Sequence, residues 1–567
     1  MPLPLPPLRR LTTPLQLLLL LAVITTVFAP LFRAEPCLLD DLSLVRTWLA
    51  APHSGLPDLF PGNGITYYRP LIWAGYWLDG ALWQLNPRIM HAENLLLHLL
   101  NCLLLFALLR RLLTPPGWWP LVGALLFGLH PIVTESVCWI SGRTDLLAAT
   151  GLLAALWCLL QGQATGHRRW FLLALPALLA AGLAKEVAWG ALLGLPLLLT
   201  PRTAPLPPHQ TTSRHYYAVG CCLAGAFLLA SLTASFWPVL ALALVSWGIW
   251  HHRYAAPDRS LRRSALLTLL LAGSLLALLL IGLAFCRRLA LQNPFSPVGQ
   301  TLLAMVTHPD HALQVTASAA AFYLKKYLLP LPLALAITAI DGRYVFGGIL
   351  ALFLMAWLAA RRTQATALAF TGICLLLPVL PLAFGTIAWT PYAERYLYLP
   401  AAFFTLALVQ GCATLPHPRL RTALLCALAT LLPLAAWISH QRALVWQRNL
   451  TLFADTVAKA PNHLESRNGY LIALAQAGRL DQAKGQFEAI QRLVKGPDEM
   501  KYAYNLVYFT YHAGQKREAY DLLTAIVHKW RIIPERMPQS FYSTEWRKLY
   551  ELQQQLGREV GQPPEKP

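Results

Sequence analysis

Apolar runs of about 20 residues recur along most of this chain, and no other feature restricts its fold so strongly. The first extends from about Thr12 to Phe32, behind Arg9 and Arg10, and others begin near residues 92, 117, 144, 170, 187, 216, 237, 264, 344, 366, 396 and 420. A helix of that length spans a hydrocarbon core of about 30 Å, and within lipid the backbone must satisfy its own hydrogen bonds. The expectation is therefore an all-α, polytopic membrane protein with about 13 crossings. With 56% hydrophobic and only 13% charged residues over 567 positions, a soluble domain of this length is excluded. The first run lacks a small-x-small cleavage site and is expected to be retained as a helix.

Lys and Arg number 46 against 26 acids. Such a balance suits nucleic acid or cytoplasmic loops, and placement favours the loops. Arg9-Arg10, Arg110-Arg111, Arg168-Arg169, Arg262-Arg263 and Arg361-Arg362, with Arg419 and Arg421, fall at alternate connections if the N-terminus is cytoplasmic. The stretch from about Ala312 to Ala339, with Lys325-Lys326 and Pro330, does not fit a single crossing and is expected to be re-entrant or interfacial. Of the acids before residue 440, only Asp258 falls in a cytoplasmic loop; the others gather on the outer side. The ten cysteines show no metal-ligand spacing and are expected to be small buried hydrophobes.

The boundaries expected are a membrane domain over 1–440, with a long first outer loop over 33–88, and a charged helical domain over 441–567. In the second, Gly478, Ala483 and Phe487 return as Gly514, Ala519 and Leu523, a G-x4-A-x3-[FL] spacing that repeats after about 36 residues. This is the pattern of a tetratricopeptide-like helix pair, in which small residues permit close packing and the large one fills the groove. Crossing parity puts this domain outside the cytoplasm, where it can either present an acceptor or simply cap the membrane part.

Ionisable groups at membrane depth are costly and mark function. Asp40 and Asp41 follow the first helix; either caps a short helix, or one is a general base. In "HAENLLLHLLN", His91, Asn94 and His98 share one helical face, suited to interhelical hydrogen bonds or a polar cavity, and the glutamate spacing of a zinc helix is absent. The stretch "HPIVTESVCWISGRTDLLAA" breaks at Pro131 and restarts a helix at Gly142, so Asp145 suits the helix dipole and Arg143 opposes it. Arg143 is expected to have an anionic partner: Glu135, Asp145 or a ligand phosphate. Lys185-Glu186 and Glu394-Arg395 lie at further outer helix ends, either as local ion pairs or as parts of one anion-binding and acid/base cavity.

With "DD" at Asp40-Asp41, "YRPL" from Tyr68, "H-x-x-N-L-L-L-H" from His91, the His130–Ala148 stretch, "AKE" from Ala184, "ERYLYLP" from Glu394 and the passage "VWQRNLTLFADTVAKAPN", the chain resembles the transmembrane and tetratricopeptide repeat family of O-mannosyltransferases, within the GT-C glycosyltransferases. It departs from that family in having only about two recognisable repeats. The resemblance implies a GT-C-type membrane domain of about 11 to 13 transmembrane helices and a tetratricopeptide-like C-terminal domain. It also implies transfer of a sugar, with mannose expected, from a polyprenyl-phosphate carrier to a hydroxyl on the non-cytoplasmic side. Asp41 or Asp40 is the implied catalytic base. Arg69, Arg143, Lys185 and Arg395 are implied phosphate ligands, with His91, Asn94, His98, Glu135, Asp145, Glu186 and Glu394 around the donor. No cofactor is required, no metal site is expected, and a divalent cation is compatible with the chemistry. The expected partners are the lipid-linked donor, an acceptor protein or glycan held by the repeat domain, and membrane lipid, with no nucleic acid. The short repeat segment and Leu/Ala/Pro-rich composition point to a bacterial inner membrane with the C-terminal domain in the periplasm. The alternatives are the same chemistry on a lipid or polysaccharide acceptor, a lipid-linked glycan flippase, or a membrane scaffold.

Overall fold

The computed structural model describes residues 12–41, 69–199, 301, 305, 307–361, 363–385, 388–494, 499–530 and 551–561. The expected crossings near residues 216, 237 and 264 and most of the first outer loop lie outside the described residues. The described chain is helical, without a β-strand, and forms two compact units. Of the described residues, those within 1–34, 44–333 and 339–444 form one, and those within 35–43, 334–338 and 445–567 form the other.

In the first unit the helices are α1 (Thr13–Val27), α2 (Pro70–Trp83), α3 (Pro87–Leu112), α4 (Trp119–Gly128), α5 (Thr134–Cys138), α6 (Arg143–Thr165), α7 (Arg168–Ala184), α8 (Ala191–Leu199), α9 (Pro309–Leu328), α10 (Tyr344–Arg361), α11 (Gln364–Cys374), α12 (Tyr398–Ala413) and α13 (Pro418–Trp446). Four spans among the described residues are long and apolar enough to cross a bilayer: Pro87–Leu112, Ile140–Thr165, Glu394–Ala413 and Pro418–Trp446. A fifth arises if α4 and the segment Pro131–Cys138, bent by 46°, are one broken span. Shorter apolar helices add to these. Leu172, Leu173, Phe346, Phe353, Leu431 and Trp437 are exposed, an outward apolar surface that suits lipid rather than water. The chain is a multi-pass membrane protein. Its α9, where a re-entrant or interfacial element was expected, is not apolar enough to count as a span.

Local chemistry sets the helix ends. Asn86 caps α3 by accepting from the Arg88 N–H, Pro87 occupies the first helical position, and Arg110 and Arg111 lie in the last turn, where they complement the dipole. Along α3, His91, Asn94, His98 and Asn101 form one buried stripe at helical spacing. His98 Nε2 donates to the Gly128 carbonyl at 3.0 Å, which leaves Nδ1 to accept from the Tyr398 hydroxyl at 2.7 Å. Asn101 donates to Leu146 O and to the Tyr398 hydroxyl and accepts from Thr150. These bonds join α3, α4, α6 and α12, as polar side chains do where lipid offers no alternative partner. Small residues allow the same closeness: a Cβ on Gly151 of α6 would stand 2.7 Å from the Ala177 carbonyl of α7. Tyr398→Phe removes a hydroxyl that serves both His98 and Asn101, and an expected loss of about 1–3 kcal/mol is checked by denaturation in detergent.

The second unit contains α14 (Asn449–Lys459), α15 (Leu464–Gln476), α16 (Leu480–Leu493), α17 (Glu499–His512) and α18 (Lys516–Trp530), with a further helical stretch over 551–559. Gly478 and Gly514 end α15 and α17 in the left-handed region, at φ +74° and +85°, where a side chain would be strained. Each is followed by a helix whose small residue, Ala483 or Ala519, and large residue, Phe487 or Leu523, are buried in the unit's core. The spacing seen in sequence is thus two helix hairpins in register. Tyr502 donates to Glu465 and Asn505 to Asn468, both across 37 residues, so the first helices of the two hairpins meet.

Candidate functional site

Chain alternation brings six helix ends of the first unit to one end of the bundle. They are the starts of α3, α6 and α12, the ends of α7 and α9, and the broken segment 129–142 that follows α4. His130 organises the break. Its Nδ1 accepts from the Ile132 N–H, its Nε2 donates to Tyr327 O, and its ring stacks on Tyr327 at 5.2 Å. Gly142 then lets the chain turn into α6, because a Cβ there would collide with the Ser136 backbone.

At this end the ionisable residues pair across elements rather than along the chain. Arg143 at the first turn of α6 donates to Asp79 at 2.5 Å and Glu93 at 2.7 Å, and also to Asn94 Oδ1 and Met90 O, with its guanidinium 5.2 Å from the Tyr76 ring centre. Its partners are therefore neither Glu135 nor Asp145: the start of α6 lies against α2 and α3, whose carboxylates satisfy the fork first. Lys185 pairs with Asp145 at 2.6 Å, and Glu186 takes Arg69 bidentately at 3.0 and 2.5 Å. Lys326 pairs with Glu394 at 2.8 Å. Arg395 donates to Glu135 through its guanidinium at 2.6 Å and through its backbone N–H at 2.9 Å. The local pairs suggested by Lys185-Glu186 and Glu394-Arg395 are not formed, since neighbours along these 3-10 turns point to different elements.

Five cations thus meet six carboxylates in these pairs. Desolvation costs a buried ion several kcal/mol, so such pairs define geometry more than they add stability. Most of the members are sealed in. The side chains that keep access are Glu186 at 44%, Glu93 at 30%, Arg69 at 19% and Arg395 at 10% exposure, and the remaining partners are at 4% or less. The Arg395 guanidinium lies 4.8, 5.1 and 5.8 Å from the ring centres of Tyr396, Trp139 and Trp389. A delocalised cation held by one carboxylate and aromatic faces is suited to an anion such as a phosphate.

His91, Asn94 and His98 are all buried, but they do different things. Asn94 braces Arg143 and donates to Trp139 O at 2.7 Å, while His98 belongs to the interhelical network. Asp40 and Asp41 fall in the second unit by their contacts. Asp40 is exposed; Asp41 is 2% exposed and accepts from the Cys37 N–H at 2.8 Å. Nearby, Glu35 accepts from both N–H groups of Asn449, and Asn449 accepts from the Leu38 N–H, which stitches this turn to the start of α14. Among the described residues no three His, Cys, Asp or Glu side chains gather as metal ligands would. Sequence reasoning gave no site role to Asp79, Glu93, Lys326 or Arg442, although Arg442 is 5% exposed within the apolar α13. Their common signal was an ionisable residue at a helix end or inside an apolar run.

No family model matches the chain, and no solved structure does. Several known proteins do in part. Over 91 residues, 16% of this chain, it is 38% identical to protein O-mannosyl-transferase TMTC2 of Homo sapiens. Over 88 residues it is 40% identical to protein O-mannosyl-transferase TMTC1 of Homo sapiens, and over 146 residues 30% identical to protein O-mannosyl-transferase Tmtc3 of Drosophila melanogaster. The chain spans only 10 to 16% of the length of these relatives. A glycosyltransferase is the function class that these similarities support.

Proposed function

We propose that this protein is a GT-C-type membrane glycosyltransferase that moves mannose from a polyprenyl-phosphate carrier to a hydroxyl group, with protein Ser or Thr as the acceptor. The observation that carries the reading is Arg395, a guanidinium only 10% exposed at the end of an apolar helix bundle, with Arg69 the more accessible cation of the same ion-pair cluster. A lipid phosphate would bring its headgroup to such a depth. In the reaction the acceptor oxygen bonds to the anomeric carbon as the bond from that carbon to the phosphate oxygen breaks, with inversion. The hydroxyl proton goes to a carboxylate, for which Asp41 is the candidate by resemblance, and the electron pair goes to the phosphate, whose charge Arg395 and Arg69 stabilise. The chemistry lies on the non-cytoplasmic face, periplasmic in a bacterium, and the two hairpins of the second unit act as a tetratricopeptide-like acceptor-selecting domain.

The test is transfer of labelled mannose from synthetic polyprenyl-phosphate-mannose to periplasmic protein in proteoliposomes. Label on Ser or Thr of protein is expected. Label on lipid or polysaccharide transfers the reading to those acceptors, and donor binding without transfer favours a flippase.

A further inference from the structure

Lys326 is buried at the end of α9, 3% exposed, and all of its bonding capacity is turned inward. Its ammonium donates to the Glu394 carboxylate at 2.8 Å, to Pro330 O at 3.1 Å and to Pro332 O. An ammonium has three N–H donors, so these three acceptors leave none for a ligand. What the ammonium fixes is the 3-10 turn Glu394–Leu397, whose second residue is Arg395. That turn is held at adjacent residues by two different elements: Glu394 by Lys326 of α9, and Arg395 by Glu135 of α5 through both backbone and side chain. A 3-10 turn of four residues has little hydrogen bonding of its own to define its orientation. The two anchors therefore determine where the guanidinium stands.

We infer that Lys326 is a positioning residue for the lipid-phosphate donor: it fixes Glu394 and, through that carboxylate, the guanidinium of Arg395. The inference rests on the transferase reading above and deepens it, since it assigns the phosphate subsite to Arg395 and its alignment to α9. It also gives α9 a task. This helix, not apolar enough to count as a span, carries the lysine that sets the site.

The experiment uses the full-length protein in proteoliposomes with polyprenyl-phosphate-mannose, and reads the donor and acceptor KM separately from kcat. A wild type that neither binds nor uses this donor overturns the transferase reading, and the inference with it. With an active wild type, Lys326→Met is expected to raise the donor KM by about tenfold or more while the acceptor KM stays fixed. A merely structural lysine would lower the active fraction, hence kcat per total protein, with both KM values unchanged, and that result overturns the proposal. Lys326→Arg, which can still reach Glu394, is expected to keep the donor KM close to wild type. The double variant Lys326→Met with Glu394→Gln removes both buried charges and so remains informative where the single variant does not fold. Its donor KM is expected to equal that of Glu394→Gln alone. A further rise in the double variant would mean that Lys326 acts on the phosphate directly, and would overturn the indirect role.

Discussion

In the proposed mannosyl transfer, Asp41→Asn is expected to lower kcat by about 10²- to 10⁴-fold, the usual contribution of a general base, with the donor KM unchanged. The substitution is nearly isosteric, and the amide oxygen can still accept from the Cys37 N–H that now meets Oδ2 at 2.8 Å, so folding should survive. What is lost is the ability to take a proton. The neighbouring Asp40 is exposed, and Asp40→Asn is expected to retain most activity, which makes the pair an internal control. The check is single-turnover transfer from synthetic donor, with thermal unfolding to verify the folded fraction. Full activity of Asp41→Asn would remove the base assignment and turn attention to Glu93 and Glu186, the partly accessible carboxylates of the ion-pair cluster.

Arg143→Met is expected to destabilise the membrane unit by about 3–5 kcal/mol, because it leaves Asp79 and Glu93 facing one another without their shared cation. Arg143→Lys should rescue only part of this. One ammonium cannot reproduce the planar fork that serves Asp79, Glu93 and Asn94 at once. Neutralising an acid as well, in Arg143→Met with Asp79→Asn, should recover stability relative to the single variant, since the buried charge is then better balanced. Denaturation in detergent measures all three. A stable Arg143→Met that fails to bind polyprenyl phosphate would instead return Arg143 to the role of direct phosphate ligand.

The difference between these residues shows where sequence reasoning reached and where it stopped. Periodicity along α3 put His91, Asn94 and His98 on one face, and the structure buries that face. The same periodicity could not show that Asn94 braces an arginine while His98 accepts from Tyr398, because those partners lie tens to hundreds of residues away. Arg143 was expected to need an anion, since a cation at a helix N-terminus opposes the dipole. Which anion met it depended on how α2 and α3 pack against the start of α6. Lys326 was visible as half of a basic pair that disturbed the topology, yet its meaning came only from Glu394, 68 residues on.

Apolar run length by itself determined that this chain lives in a membrane as helices, because lipid leaves a backbone few other ways to satisfy its polar groups. The helix break at His130-Pro131 was equally local, and a repeated Gly-Ala-Phe/Leu spacing was enough to foresee two hairpins. The pairing of charges was decided only by the tertiary structure. An ion at a helix end selects among all carboxylates that packing brings within about 3 Å, and in a low-dielectric interior the nearest one dominates whatever its distance along the chain.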